Sequence, residues 1–252
     1  MNWQEVLAQL EAGTVRAANQ DAEGNWHANV EAKQAILAAF KAGENVEFNN
    51  NYQGFVDKHN LPARQFSVAD GVRLVPGGSS VRAGAYVAPG VIIMPPAYIN
   101  VGAYVDSGTM VDSHALIGSC AQIGKNVHVS AAVQIGGVLE PVGASPVIIE
   151  DNAFIGSAVS VMEGVHVGEN AILGSGVMLT ASTRIIDVTG DEPITLKGHV
   201  PANSVVIPGS YEKEFPAGKF NVQCALIIGK RGESQDKKVS LNDALRNFNV
   251  SV

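Results

Sequence analysis

From Val81 to Ile185 the chain repeats itself every six residues. Stepping by six from Val81 reaches Val87, Ile93, Ile99, Val105, Val111, Ile117, Ile123, Val129 and Ile135, and every stop is Val or Ile. The count breaks over residues 140–147, resumes at Ile149, and continues through Ile155, Val161, Val167, Leu173 and Leu179 to Ile185. A period of six fits neither a helix nor a simple strand alternation, so it decides the architecture before any single residue does.

The other slots say what each hexad builds. Four residues after each Val or Ile stands a small or apolar side chain, as at Ala85, Val91, Ala97, Ala103, Thr109, Ala115, Ala121, Val127, Val133 and Leu139. Three residues after it, Gly or Asn is frequent: Gly84, Gly90, Gly102, Gly108, Asn126, Asn152, Gly164, Asn170 and Gly176. Both types tolerate positive φ, which a tight corner requires. Each hexad is therefore one short strand and one corner, and three hexads close a triangular coil. Stacked coils form parallel strands about 4.8 Å apart. The expected fold is mainly β, a left-handed parallel β-helix. One coil cannot bury its own apolar surface, so several must stack and both ends must be capped.

The flanks read differently. Asn2 is suited to cap a helix carrying Trp3, Val6, Leu7 and Leu10 and ending near Gly13. A polar hairpin around Gly24 precedes a second helix from about Val30 to Lys41, and residues 49–60 read as loop. Residues 1–75 are expected to form a small α/β cap on the open end of the coil, with the coil at 76–188. Beyond Ile185 the same count would land on Asp191 and Lys197, so the coil is expected to stop there. Strands separated by Pro and Gly, then a helix from Ser240, make up a C-terminal extension at 189–252.

Composition narrows the partners. The chain has 24 acidic against 17 basic residues and a formal charge of -7, which argues against nucleic acid. Cys120 and Cys224 form no metal-binding spacing, and no metal is expected. With no signal peptide and no run of 18 apolar residues, the expectation is a cytoplasmic protein away from the membrane.

The slot before each inward residue reads Tyr86, Ile92, Tyr98, Tyr104, Met110 and Leu116, too apolar for a solvated surface. Either the terminal domains fold over these faces or copies of the chain cover them, most simply in a homotrimer. On the outer surface, counting places Asp112 and His128 one coil apart on one face. That pair could deprotonate an amine or hydroxyl nucleophile, or could be a packing contact. His114 occupies a corner slot and His166 lies beyond the break. The segment 140–146, with two prolines, could close a site or be a neutral insertion. Lys230, Arg231, Lys237 and Lys238 could grip a phosphorylated ligand or simply form a solvated turn.

Longer strings carry more information than the period. Residues 103–112 (AYVDSGTMVD), 118–128 (GSCAQIGKNVH), 136–141 (GGVLEP), 148–152 (IIEDN), 182–185 (STRI) and 200–206 (VPANSVV) closely resemble the tetrahydrodipicolinate N-succinyltransferase family. So do 10–16 (LEAGTVR) and 24–26 (GNW), and the likeness covers nearly the whole chain. The resemblance implies transfer of a succinyl group from succinyl-CoA to the amine of L-2-amino-6-oxopimelate, in lysine and diaminopimelate biosynthesis. It implies no permanently bound cofactor, acyl-CoA as co-substrate (succinyl-CoA, with acetyl-CoA the nearest rival donor) and active sites between the subunits of a homotrimer. Matching the motifs gives Arg73, Asp112 and Arg184 as substrate-binding residues, with Asp112 and Glu163 as catalytic ones. Gly136, Gly137, Ala158, Lys230 and Lys237 are the corresponding acyl-CoA contacts. At Ser160 many relatives carry Glu, so an altered donor or acceptor, or compensation by Glu163, are both open. A non-catalytic assembly scaffold is the reading from another class.

Overall fold

The structure is a computed structural model in which residues 2–48 and 55–231 are described. Each hexad forms a two-residue strand, and the strands stack into the three flat faces of a left-handed β-helix. The first face stacks Tyr86–Val87, Tyr104–Val105, Gln122–Ile123, Ile148–Ile149, His166–Val167 and His199–Val200. The second runs from Arg73–Leu74 through Ile92–Ile93, Met110–Val111, His128–Val129, Phe154–Ile155 and Ile172–Leu173 to the strand Ser204–Phe215. The third stacks Ser80–Val81, Tyr98–Ile99, Leu116–Ile117, Gln134–Ile135, Ser160–Val161 and Met178–Leu179.

Register follows directly from the period. Val87, Val105 and Ile123 are successive partners, each eighteen residues beyond the last. The inward Val, Ile and Leu side chains make one continuous core. Thr109 is the polar exception and is fully satisfied: its Oγ1 donates to Gly124 O at 2.8 Å and accepts from Val127 N at 3.0 Å. Corner residues are left-handed as the Gly and Asn pattern requires. At Gly108 a Cβ would fall 2.2 Å from Asn126 Oδ1, so glycine is also needed for space.

The coil extends further than the count suggested. After an excursion over residues 186–198, Val200 pairs with Val167 and Val206 with Leu173, and both join the core. The expectation that the coil stops at Ile185 therefore fails, because the excursion throws the six-residue count out of phase without ending the stack. Ser204–Phe215 and Gly218–Lys230 then form a long antiparallel hairpin.

The N-terminal part also departs from expectation. Helix α1 (Trp3–Glu11) is capped by the Asn2 side chain, and α2 (Val30–Ala42) by Asn29. These helices lean on one edge of the prism and not on its open end. Leu7 and Ile36 pack over the corners at Gly84 and Gly102, and their apolar cluster includes the corner residues Val101 and Cys120. Outward apolar groups at those corners need cover, and the helices supply it. Phe66, Val72 and Leu74 pack against the coil core, Leu74 as the first rung of the second face. Residues Phe55–Lys58 form a strand paired with Asn45–Phe48, where a loop was expected; Phe55 and Val56 are good strand formers within an otherwise polar stretch. Among the described residues no helix is long and apolar enough to cross a membrane.

Candidate active site along one edge of the prism

The chain leaves the second face at Asp112, turns at His114 (φ 62°) and enters the third face at Leu116–Ile117. Ala132 (φ 60°), Ala158 (φ 57°) and Gly176 (φ 76°) turn the same edge on later coils. The Asp112 backbone is fixed because its N–H donates to Val129 O at 2.9 Å. Its carboxylate accepts from Ser113 N at 2.7 Å, which commits Oδ1 to the turn. An acceptor oxygen, Oδ2, remains for chemistry.

Arg73 lies on this same second face. Its strand pairs with Ile92, which pairs with Met110, two residues before Asp112, and the Arg73 side chain is exposed. A guanidinium and a carboxylate on one exposed sheet surface suit a ligand that carries both a carboxylate and an amine. His128 is also on this face, one rung above Met110, as the counting anticipated. Its ring stacks on Phe154 with centroids 5.2 Å apart and planes 13° apart. It is therefore diagonal to Asp112 and packed along the ladder.

The remaining candidates are spread over the coil. Ala158 is an exposed corner residue on the edge that Asp112 shares. Glu163 sits at the far edge of the third face, also left-handed (φ 55°), and its Oε2 accepts from Ala181 N at 3.1 Å. Within one chain, then, Glu163 and Asp112 belong to different edges. Gly136 and Gly137 have a structural reason to be glycine: a Cβ on Gly137 would fall 2.7 Å from Ser119 N, and one on Gly136 2.7 Å from Met162 Sδ. Arg184 is exposed, its guanidinium 4.2 Å from the Tyr211 ring centroid. Lys230 is exposed and pairs with Ser204 at the upper end of the second face. Its neighbour Arg231 is bonded to Asn152 O at 3.1 Å. Lys237 and Lys238, like the helix expected from Ser240, lie outside the described residues.

The segment 140–146 is tied to its own chain through the Pro141 and Ala144 carbonyls, while Glu140, Pro141, Gly143 and Ser145 are exposed. Lys33 of α2, wholly buried, donates from Nζ to Ala144 O at 2.6 Å, and Leu139 packs against the helical cluster. Burial lowers the Lys33 pKa and pushes the Cys120 thiol up to about 12.

The first face holds a cluster that the slot reading missed. Arg16 lies 3.8 Å above the Tyr104 ring and 5.0 Å from that of Trp26, and donates from Nε to Gln122 Oε1 at 2.8 Å. Trp26 donates to Glu150 Oε1 at 3.2 Å, the same oxygen that lies 2.9 Å from His166 Nε2. The N-terminal hairpin thus covers Tyr104, and Tyr86 lies against Gly13. For this face, the apolar outward slot is covered by the chain's own N-terminal part. Among the described residues no cluster of three or more His, Cys, Asp or Glu is arranged to hold a metal ion.

Comparison with known proteins agrees with this architecture. Residues 3–42 match the model for the tetrahydrodipicolinate N-succinyltransferase N-terminal region, and 146–181 match the hexapeptide repeat of succinyl-transferase. The chain is 45% identical over 249 residues to a 2,3,4,5-tetrahydropyridine-2,6-dicarboxylate N-succinyltransferase from Leptothrix cholodnii, covering 96% of this chain and 87% of the relative. The enzyme of that name from Rickettsia akari is 45% identical over 250 residues, covering 96% and 88%. A solved structure from Campylobacter jejuni, described as a 2,3,4,5-tetrahydropyridine-2-carboxylate N-succinyltransferase, shares the fold with a TM-score of 0.50 at 18% identity. This alignment covers 90% of this chain and 63% of that one.

Proposed function

Because this chain belongs to the 2,3,4,5-tetrahydropyridine-2,6-dicarboxylate N-succinyltransferase family, we propose that Arg73 and Asp112 hold the amine substrate of its acyl transfer. The protein is a CoA-dependent N-acyltransferase that moves the succinyl group of succinyl-CoA to the amine of L-2-amino-6-oxopimelate, the opened form of tetrahydrodipicolinate. This places it in lysine and diaminopimelate biosynthesis.

One observation carries the assignment of roles: the exposed Arg73 guanidinium and the Asp112 carboxylate occupy the same face of the coil. Arg73 grips a substrate carboxylate through two parallel hydrogen bonds. Asp112 Oδ2 takes a proton from the substrate ammonium, and the neutral amine attacks the thioester carbonyl. The C–N bond forms, the C–S bond breaks, and the departing thiolate recovers a proton as free CoA. Alignment and a donor for the developing oxyanion supply the rest of the rate.

The acyl-CoA contacts in this reading are Gly136, Gly137, Ala158, Lys230 and Lys237, with Arg184 on the amino-dicarboxylate. A homotrimer with sites between subunits would bring together edges that are separate within one chain, such as those of Asp112 and Glu163. Support comes from the third face, where Tyr98, Leu116 and Met178 point outward and Met178 is 48% exposed. The setting is cytoplasmic, where acyl-CoA is available.

A thiol-release assay tests the reading. Succinyl-CoA and acetyl-CoA are each offered with the pimelate substrate and with simpler amino acids. Release with succinyl-CoA and the pimelate is expected, and no release with any pair would favour the scaffold reading.

A further inference from the structure

Gln122 and Gln134 occupy the same slot, just before an inward Ile, on two different faces. Each turns its amide nitrogen back onto the preceding corner. Gln122 Nε2 donates to Cys120 O at 2.8 Å. Gln134 Nε2 lies 3.1 Å from Val133 O, 3.3 Å from Ala132 O and 3.3 Å from His114 O. Three surrounding carbonyls fix which end of the amide is nitrogen, and so turn the oxygen away from the corner.

The two glutamines differ in what meets that oxygen. Gln122 Oε1 accepts from the half-buried Arg16. Gln134 Oε1 has no partner among the described residues, and neither has the hydroxyl of Ser160, its Cα partner one rung up. Leu116 on the rung below and Met178 on the rung above Ser160 are apolar. Two unspent polar groups thus stand together on an otherwise apolar strip. Their corner is the one Asp112 opens, since Gln134 reaches His114, two residues beyond Asp112.

We propose that Gln134 Oε1 and Ser160 Oγ form an uncharged subsite that accepts the N–H of the attacking amine. The inference rests on the transferase reading and deepens it. An amine attacks only when neutral, and a carboxylate beside it favours the ammonium form, whereas an uncharged carbonyl and hydroxyl favour it far less. In this division of labour Asp112 removes the proton, and Gln134 with Ser160 retains the deprotonated nitrogen.

The test compares wild type with Gln134→Leu, Gln134→Lys, Ser160→Ala and Ser160→Glu, each checked for unchanged folding by circular dichroism. Gln134→Lys keeps donors toward the corner carbonyls while removing the acceptor, so it separates binding from anchoring. Thiol release is measured while amine and acyl-CoA are varied separately across pH. Loss of one hydrogen bond is expected to cut kcat/KM for the amine about three- to tenfold in Gln134→Lys and Ser160→Ala, with KM for acyl-CoA unchanged. Ser160→Glu is expected to move the acid limb of the kcat–pH profile to higher pH. A change confined to KM for acyl-CoA, or normal amine kinetics in every variant, overturns the subsite while leaving the transferase intact. Should wild type release no thiol, calorimetric titration with an acyclic 2-aminodicarboxylate decides the matter. Binding weakened by Gln134→Lys keeps the subsite and removes the transferase; binding unaffected by it, or absent, removes both.

Discussion

Glu150 Oε1 lies 2.9 Å from His166 Nε2 and accepts from Trp26 Nε1 at 3.2 Å, which pins the N-terminal hairpin to the first face of the coil. The contact to His166, helped by those to Trp26 and to Glu169 N, holds the Glu150 carboxyl down at about 2, against 4.5 ordinarily. A carboxylate with a depressed folded-state pKa stabilises the fold fully above its unfolded value and loses that contribution as pH falls through the folded one. The window is therefore pH 4.5 down to about 2. Urea denaturation of wild type and Glu150→Gln across this range should differ by about 1–2 kcal/mol at the top, solvent screening taking part of the effect, and converge at the bottom. A constant gap would detach Glu150 from acid stability.

Lys33 anchors the interruption of the coil. Replacing it with Met leaves the half-buried Ala144 carbonyl without its donor at 2.6 Å, whereas Pro141 O keeps the bond from Ala144 N at 2.9 Å. A loss of about 2 kcal/mol is expected by denaturant titration, with easier proteolysis between residues 139 and 146. Unchanged protection there would mean that Leu139 alone holds the loop.

In the coil itself, Ile117 has no exposed surface and its partners above and below are Ile135 and Ile99. Ile117→Ala should cost about 2–5 kcal/mol, because neighbouring rungs cannot close on the void without breaking the ladder. A loss below 1 kcal/mol, read by denaturant titration, would show that the stack relaxes freely.

Arg73→Lys keeps the charge but loses the fork. KM for the amino-dicarboxylate should rise roughly tenfold or more, with KM for acyl-CoA unmoved. Steady-state kinetics with each substrate varied in turn checks this, and an effect on acyl-CoA alone would reassign Arg73.

How far the fold could be read from residues depended on how local the signal was. The inward Val and Ile ladder was plain because each rung repeats one chemical demand at a fixed interval, and the coil carries it from Val81 to Leu179 and beyond. Val200 and Val206 escaped the same count because residues 186–198 leave the stack and return. The docking of α1 and α2 on an edge was not legible, since it depends on Leu7 and Ile36 meeting corners whose outward groups look like ordinary turn residues. At the candidate site, the common face of Val111 and Val129 followed from counting. Which oxygen of Asp112 is spent on Ser113, and which atom of Gln134 faces its corner, did not. A glutamine among outward aromatic and aliphatic residues was the only hint of Gln134 in the sequence. Arg16 gave no hint, because its partners Tyr104 and Gln122 are about ninety and more residues away.

Mass spectrometry of the amine product, after incubating succinyl-CoA and the pimelate substrate with wild type or with Asp112→Asn, bears most directly on the account. An N-succinylated pimelate is expected from wild type, and from Asp112→Asn at a rate lower by roughly a hundredfold or more in a protein that keeps its fold. Equal rates from the two proteins, or no acylated product from wild type, would contradict it.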